Sequence, residues 1–168
     1  MQIRQATLAD IPAIIQIIKD VVPAMIAAGN LQWDDQYPNP EVFVNDIHQN
    51  QLWVAEIDEA IAGVAAITTD QDAEYVEAGW DITVPAIVTH RLAVNPHYAG
   101  RGIAAALLMQ AEHEAIKKGI MLLRIDTNTK NQATQKLFPK LGYIYSGEIS
   151  LGFRPGLRFS CYEKILLR

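Results

Sequence analysis

Gly100-Arg101-Gly102 stands between an apolar run that stops at Asn95-Pro96 and a stretch whose apolar residues, Ile103, Ala104, Leu107, Leu108, Ala111 and Ala115, return at helical spacing. A helix that opens on glycines leaves its first N–H groups unpaired and aimed at one point, with the positive end of the helix dipole behind them. An anion, most simply a pyrophosphate, would satisfy them, and glycine lets a phosphate come close to the backbone. Arg101 points the same way, because a cation in the first turn opposes the dipole by a few tenths to about 1 kcal/mol unless an anion offsets it. On spacing alone, the same glycines could open an ordinary helix. A Walker loop would need Gly-Lys-Ser/Thr, which is absent. Ala105 makes the segment partly imitate a dinucleotide fingerprint, but it follows several strands instead of sitting in an opening strand-helix-strand unit.

Groups able to move a proton lie on or before the strand that leads to these glycines. Histidine has the side chain whose ordinary pKa best suits proton transfer near neutrality, and His90 would share a face with Leu92 on a regular strand. Glu74, Glu77 and Asp81 are the carboxylate candidates, with Glu74 taken beside His90 as catalytic. The plainer readings are a hydrogen-bonded sheet histidine and solvated loop charges. Trp33, Tyr37, Tyr75 and Trp80 could wall an acceptor pocket or pack the core. Cys161 is the only cysteine, so neither an internal disulfide nor a cysteine metal cluster can form, and no metal is expected.

The elements that must position these groups read as mixed α/β. Ile3–Ala6 predicts a strand, and Asp10 can cap a helix carrying Pro12 in its first turn and Ile11, Ile14, Ile15 and Ile18 on its buried face. A second, weaker helical stretch ends at Gly29-Asn30, and 30–40 is an aromatic, proline-rich loop that either faces substrate or lids the core. A helix over 41–50, a hairpin of strands 51–57 and 61–69, and a strand over 86–94 follow. The second half gives a helix stopped by Gly119, a strand over 120–126, a helix over 131–141 closed by Gly142, and strands over 143–149 and 159–166.

With 168 residues, half of them apolar, the chain is expected to form one domain over 1–168. The formal charge of −5 speaks against nucleic acid, which is bound through dense Lys and Arg, and is compatible with a cationic substrate. The amino terminus lacks a signal-peptide layout and no apolar run approaches a membrane span, so a cytoplasmic place without a membrane partner is expected.

Three segments, in order, resemble the GNAT N-acetyltransferase superfamily. They are the opening Ile3-Arg4-Gln5-Ala6-Thr7-Leu8-Ala9-Asp10, the loop Ala99-Gly100-Arg101-Gly102-Ile103-Ala104 after a strand ending at Asn95-Pro96, and the helix Asn131 to Tyr143. The resemblance implies an α/β (α+β) GNAT fold: a mixed, mainly antiparallel sheet of about seven strands, flanked by helices and splayed between two central strands. It also implies acetyl-CoA as acyl donor. Backbone groups of Leu92, Ala93 and Val94 would meet pantetheine, and N–H groups of Gly100, Arg101, Gly102, Ile103 and Ala104 the pyrophosphate. Asn131 matches a cofactor-contacting asparagine, although a helix-start role fits it equally.

Two residues depart from the family pattern. Ala99 replaces the usual Arg/Gln of the loop, and Phe138 stands where a tyrosine usually protonates the departing thiolate, which a phenyl ring cannot do. The implied activity is direct acetyl transfer to a primary amine of a small molecule or of a peptide or protein amino terminus. For a lysine-like amine, reaching the neutral form at pH 7 costs roughly 4 to 5 kcal/mol, whereas an α-amino group needs only about 1 to 1.5 kcal/mol. The rival reading, motivated by Phe138, is a catalytically weak acyl-CoA-binding sensor or structural partner. A homodimer is compatible with either.

Overall fold

The computed structural model describes residues 1–167. Among them the strands are β1 (Gln2–Gln5), β2 (Leu52–Ile57), β3 (Ala60–Thr68), β4 (Ile87–Val94), β5 (Leu122–Asn128), β6 (Ile144–Ile149) and β7 (Phe159–Ile165). The helices are α1 (Ile11–Ala27), α2 (Pro40–His48), α3 (Ile103–Lys118) and α4 (Gln132–Lys140), with 3-10 turns at Leu8–Asp10, Ala73–Ala78 and Pro96–Tyr98. The strands form one seven-stranded sheet in the order β1-β2-β3-β4-β5-β7-β6, antiparallel throughout except for the β4–β5 pair. None of these helices is long and apolar enough to cross a membrane.

Helical periodicity gives each sheet face its cover. Ile14, Ile17, Ile18 and Val22 of α1 and Phe43 of α2 pack on Val54, Val64, Ala66 and Ala93. On the opposite face Ile103 and Leu107 of α3 lie on Ala55, Ala62 and Ala65, and Leu108, Ala111 and Phe138 lie on Ile67, Ile87, Leu123 and Ile125. Arg4 ties the start of the chain to α1, donating to Asp10 through both terminal nitrogens at 2.8 and 2.9 Å. The two helical stretches expected before Gly29 are one 17-residue helix that runs through Pro23. Pro23 and Lys19, whose carbonyl it leaves unpaired, are both exposed, so water can satisfy the lost bond.

The fold opens at its middle. β4 and β5 pair only through Ile87↔Leu123 and Val88↔Arg124. Beyond that point β5 continues along β7, whereas β4 stays with β3 and bulges, setting Arg91 and Leu92 together opposite Ala65. Arg91 has φ +53°, an uncommon value for a residue with a side chain. It is held there by two 2.7 Å bonds to the buried Asp46 carboxylate of α2.

The bulge also reverses the alternation of the strand. Ile87 and Leu92, which a regular strand would set on opposite faces, both pack beneath α3, and His90 pairs with Ala66 on the α1–α2 face. His90 therefore does not share a face with Leu92, contrary to the regular-strand expectation.

Breaking a buried ion pair leaves an uncompensated charge, so Asp46→Ala should cost about 3 to 5 kcal/mol in urea denaturation. A loss below about 1 kcal/mol would show that Arg91 is solvated without its partner and that the pair does not hold the bulge.

Candidate functional site

Where β4 and β5 diverge, a cavity of about 410 Å³ opens between them. Its lining includes Thr89 to Val94 from β4 and Ile125 to Thr127 from β5, together with Met25 of α1 and Phe138 of α4. Past Val88, the β4 edge that faces β5 has no ladder partner there, so its backbone groups are available to an extended chain with amides of its own. Leu92, Ala93, Val94 and Ala104 all line this cavity, which connects the free edge to the start of α3.

The start of α3 is built as the glycines suggested. Gly100 and Gly102 have φ +79° and +74°, and a Cβ at either would meet nothing within 4 Å. Gly102 is the N-cap of the 16-residue α3, and no side chain among the described residues caps that end. The first N–H groups therefore have no side-chain partner, and the positive end of the helix dipole lies behind them. The close approach of the α3 start to the sheet depends on Gly63, where a Cβ would fall 2.6 Å from Ile103 Cγ2. Arg101 and Ala99 are exposed beside the loop, with the Arg101 guanidinium over the Tyr98 ring at 5.2 Å. Asn131 does both things open to it: its side-chain oxygen accepts from Thr134 N at 3.2 Å, capping α4, and it lines the cavity. Phe138 is buried edge-on against Tyr162, with centroids 5.3 Å apart, and borders the same cavity.

A second cavity of about 350 Å³ adjoins the first, and the two share Gln32, Trp33, His90, Arg91 and Asp126. Tyr37, Leu151 and Phe153 give it an apolar wall, and Asp70 and Asp72 lie opposite His90 in its lining. His90 Nε2 is 3.2 Å from the Asp70 carbonyl. A carbonyl can only accept, so Nε2 carries the hydrogen and the neutral ring keeps its acceptor at Nδ1. Asp72, His90 and Asp126 each bring a side-chain atom within 4.8 Å of the other two, near enough for their charges to interact without a direct hydrogen bond.

Tyr75 donates its hydroxyl to Asp126 Oδ2 at 2.5 Å. Burial pushes the Asp126 carboxyl above the usual aspartate range, opposed by the Tyr75 bond and the charge of His90. Asp72 shifts upward for the same first reason, with His90 again opposing and Glu74 adding to the rise. Desolvation, with the Asp126 charge behind it, holds Tyr75 well above an ordinary phenol.

Of the residues singled out in the sequence, His90 stands at the junction of the cavities, and Trp33 and Tyr37 line the second. Tyr75 and Trp80 line neither cavity: both are buried, edge to face at 5.1 Å, with Trp80 under the Arg124 guanidinium. Glu74 borders neither cavity and sits near Gly152, Glu77 accepts from Ser150, and Asp81 accepts from Thr83 in a turn. Sequence reasoning missed Asp126, Asp72 and Phe153. Asp126 read as the end of a strand, a usual place for a solvated charge, and only the unlike neighbours Ile125 and Thr127 hinted at a deeper position.

A model of the acetyltransferase (GNAT) family matches residues 20–143. A GNAT-family acetyltransferase from Streptococcus agalactiae is 29% identical, with 99% of this chain and 96% of that one covered at a TM-score of 0.79. A GNAT-family acetyltransferase from Listeria monocytogenes, 20% identical over 98% of this chain and 94% of that one, shares the fold at 0.75. So does yncA from Salmonella typhimurium, solved with its cofactor acetyl-CoA, at 19% identity, 100% and 95% coverage and a TM-score of 0.72.

A carboxyl whose pKa is raised by folding binds more protons in the native state than in the unfolded one, so its contribution to stability falls as pH rises through that interval. Asp126→Asn keeps an acceptor for Tyr75 and removes the penalty. Its stability advantage over the wild type should grow as pH rises above about 4, where an unfolded aspartate titrates, as read from urea midpoints. An advantage that shrinks over that interval would mean Asp126 is a stabilising anion in the folded protein.

Proposed function

The chain belongs to the GNAT acetyltransferase family, whose reaction is acyl transfer from acetyl-CoA, and we propose that its acceptor is a primary amine that enters the second cavity. The observation that carries this reading is the meeting of the two cavities at His90 and Asp126. A donor in the cleft and an amine in the second cavity would come together beside a group of side chains able to handle a proton.

The residues present fit the donor. Gly100 and Gly102 hold a positive-φ helix start with open space around it, which suits a pyrophosphate held by N–H groups of residues 100–104. The unpaired β4 edge at Leu92, Ala93 and Val94 suits the amides of pantetheine. When bound, acetyl-CoA supplies the acetyl group as a thioester, which an amine displaces with release of the CoA thiol.

The chain's own residues then have distinct tasks. An amine reaches the cavity as an ammonium and must give up a proton before it can attack. His90 Nδ1 takes that proton, while the Nε2–H bond to the Asp70 carbonyl fixes the ring. Asp126 and Asp72 stabilise the imidazolium that results. Tyr75 fixes the Asp126 carboxylate from behind. Phe138 has no proton for the departing sulfur; a thiol of pKa about 8.5 leaves tolerably near neutrality, with water as proton source. General-acid help is typically worth ~100- to 10,000-fold, so its loss slows an enzyme without silencing it. A catalytically weak acyl-CoA-binding sensor is the second reading, favoured by that same Phe138.

The deciding experiment follows free thiol release with acetyl-CoA and a panel of amines. Turnover on an amine supports the transferase, and acetyl-CoA binding without turnover on any amine supports the sensor. Gly102→Asp should lower calorimetric acetyl-CoA affinity by orders of magnitude in a folded protein, and unchanged affinity would remove the pyrophosphate from this loop. His90→Ala should slow CoA release ~100-fold or more at unchanged acetyl-CoA affinity; an unaltered rate would take the base role away from it. Phe138→Tyr should leave the rate the same or raise it. A large fall with folding and acetyl-CoA affinity intact would show that the sulfur does not leave beside residue 138.

A further inference from the structure

The second cavity holds one more carboxyl than the group that handles the acceptor's proton. Asp70, Asp72 and Asp126 line it. Arg91, also in the lining, is already matched by the two bonds to Asp46. Arg154 lies behind the ring wall, over Tyr37 and Phe153 at 5.7 and 5.4 Å, and is engaged by the Gln32 carbonyl and by Asp34. The remaining basic group of the lining is His90, which the proposed reaction engages with the acceptor's proton.

The reacting nitrogen cannot serve as counter-ion to these carboxylates, because it must be neutral when it attacks. Once Asp126 and Asp72 are occupied with the proton at His90, the carboxylate of Asp70, exposed toward the rim, still lacks a partner from the cavity. A second cationic nitrogen on the acceptor would supply one. The apolar wall of Trp33, Tyr37, Leu151 and Phe153 fits a methylene chain between two such nitrogens, and aromatic faces also attract ammonium groups. An acceptor with a free carboxylate near its amine would meet like charge instead.

Resting on the transferase reading above, we infer that the acceptor is a small aliphatic diamine or polyamine, acetylated at one nitrogen while another stays charged near Asp70. The test compares kcat/KM for CoA release with 1,4-diaminobutane, butylamine and 4-aminobutyrate, three small primary amines that differ mainly in their far end. Diaminobutane should exceed butylamine by at least about tenfold after allowing for its two equivalent ends, chiefly through KM, and 4-aminobutyrate should be poorest. The gap should narrow with added salt, as expected of a charge near the rim. Asp70→Asn should narrow the diaminobutane-to-butylamine ratio and Asp70→Glu should keep it.

Butylamine or 4-aminobutyrate performing as well as diaminobutane would overturn the inference and leave the transferase reading standing. If no amine releases CoA although acetyl-CoA binds, the transferase reading fails. Calorimetry of the acetyl-CoA-loaded protein then decides the charge inference alone: tighter binding of 1,4-diaminobutane than of 4-aminobutyrate supports it, and equal or reversed binding overturns it.

Discussion

The β4–β5 ladder stops after two pairs because each strand follows a different neighbour: β5 keeps its register with β7 to Asn128, and β4 turns with β3 through the Arg91 bulge. A bulge adds twist to the strand that carries it, and an added twist in the middle of a sheet must either separate neighbouring strands or bend the whole sheet. Here it separates them. The cleft, the free backbone edge of β4 and the access to the start of α3 all follow from that separation. The Arg91–Asp46 pair anchors the bulge to α2, so a helix on the outer face of the sheet helps to set the shape of a cavity at its centre.

The same bulge decides which chemistry faces which chamber. By reversing the alternation after His90, it brings Leu92 beneath α3 and leaves His90 on the opposite face with Asp126 and Asp72. Three half-buried titratable groups close together are a cost to folding, and both carboxyls are shifted upward. Buried Tyr75, packed on Trp80 and bonded to Asp126, offsets some of that cost for the deeper carboxylate. Destabilised charge beside a cavity is a common mark of a site shaped for function over stability.

Several features that identify the family are structural in this chain. Arg4 and Asp10 of the opening signature clamp β1 to the start of α1, and Arg4 also reaches Glu56 on β2. Neither lines the cavities. Gly63, absent from the motifs, matters as much as the loop glycines, because without it α3 could not bring its amino end so close to β3.

What the sequence determined by itself was local. Glycine at 100 and 102 requires a positive-φ helix start whatever surrounds it, and period-3.6 and period-2 patterns located the helices and the hairpin, because those depend on neighbours a few residues away. The two helical stretches that the pattern predicts before Gly29 are one helix running through Pro23, since one exposed lost bond is cheaper than ending a well-packed helix. The tertiary structure alone decided the site. Tyr75 and Asp126 meet across 51 positions and Arg91 and Asp46 across 45. Period-2 parity fails at a bulge, and whether a carboxylate is solvated or buried depends on what distant segments pack over it. For those reasons the sequence leaves Asp126 as the end of a strand, leaves Trp80 open between pocket wall and core, and sets His90 on the face of Leu92, which it does not share.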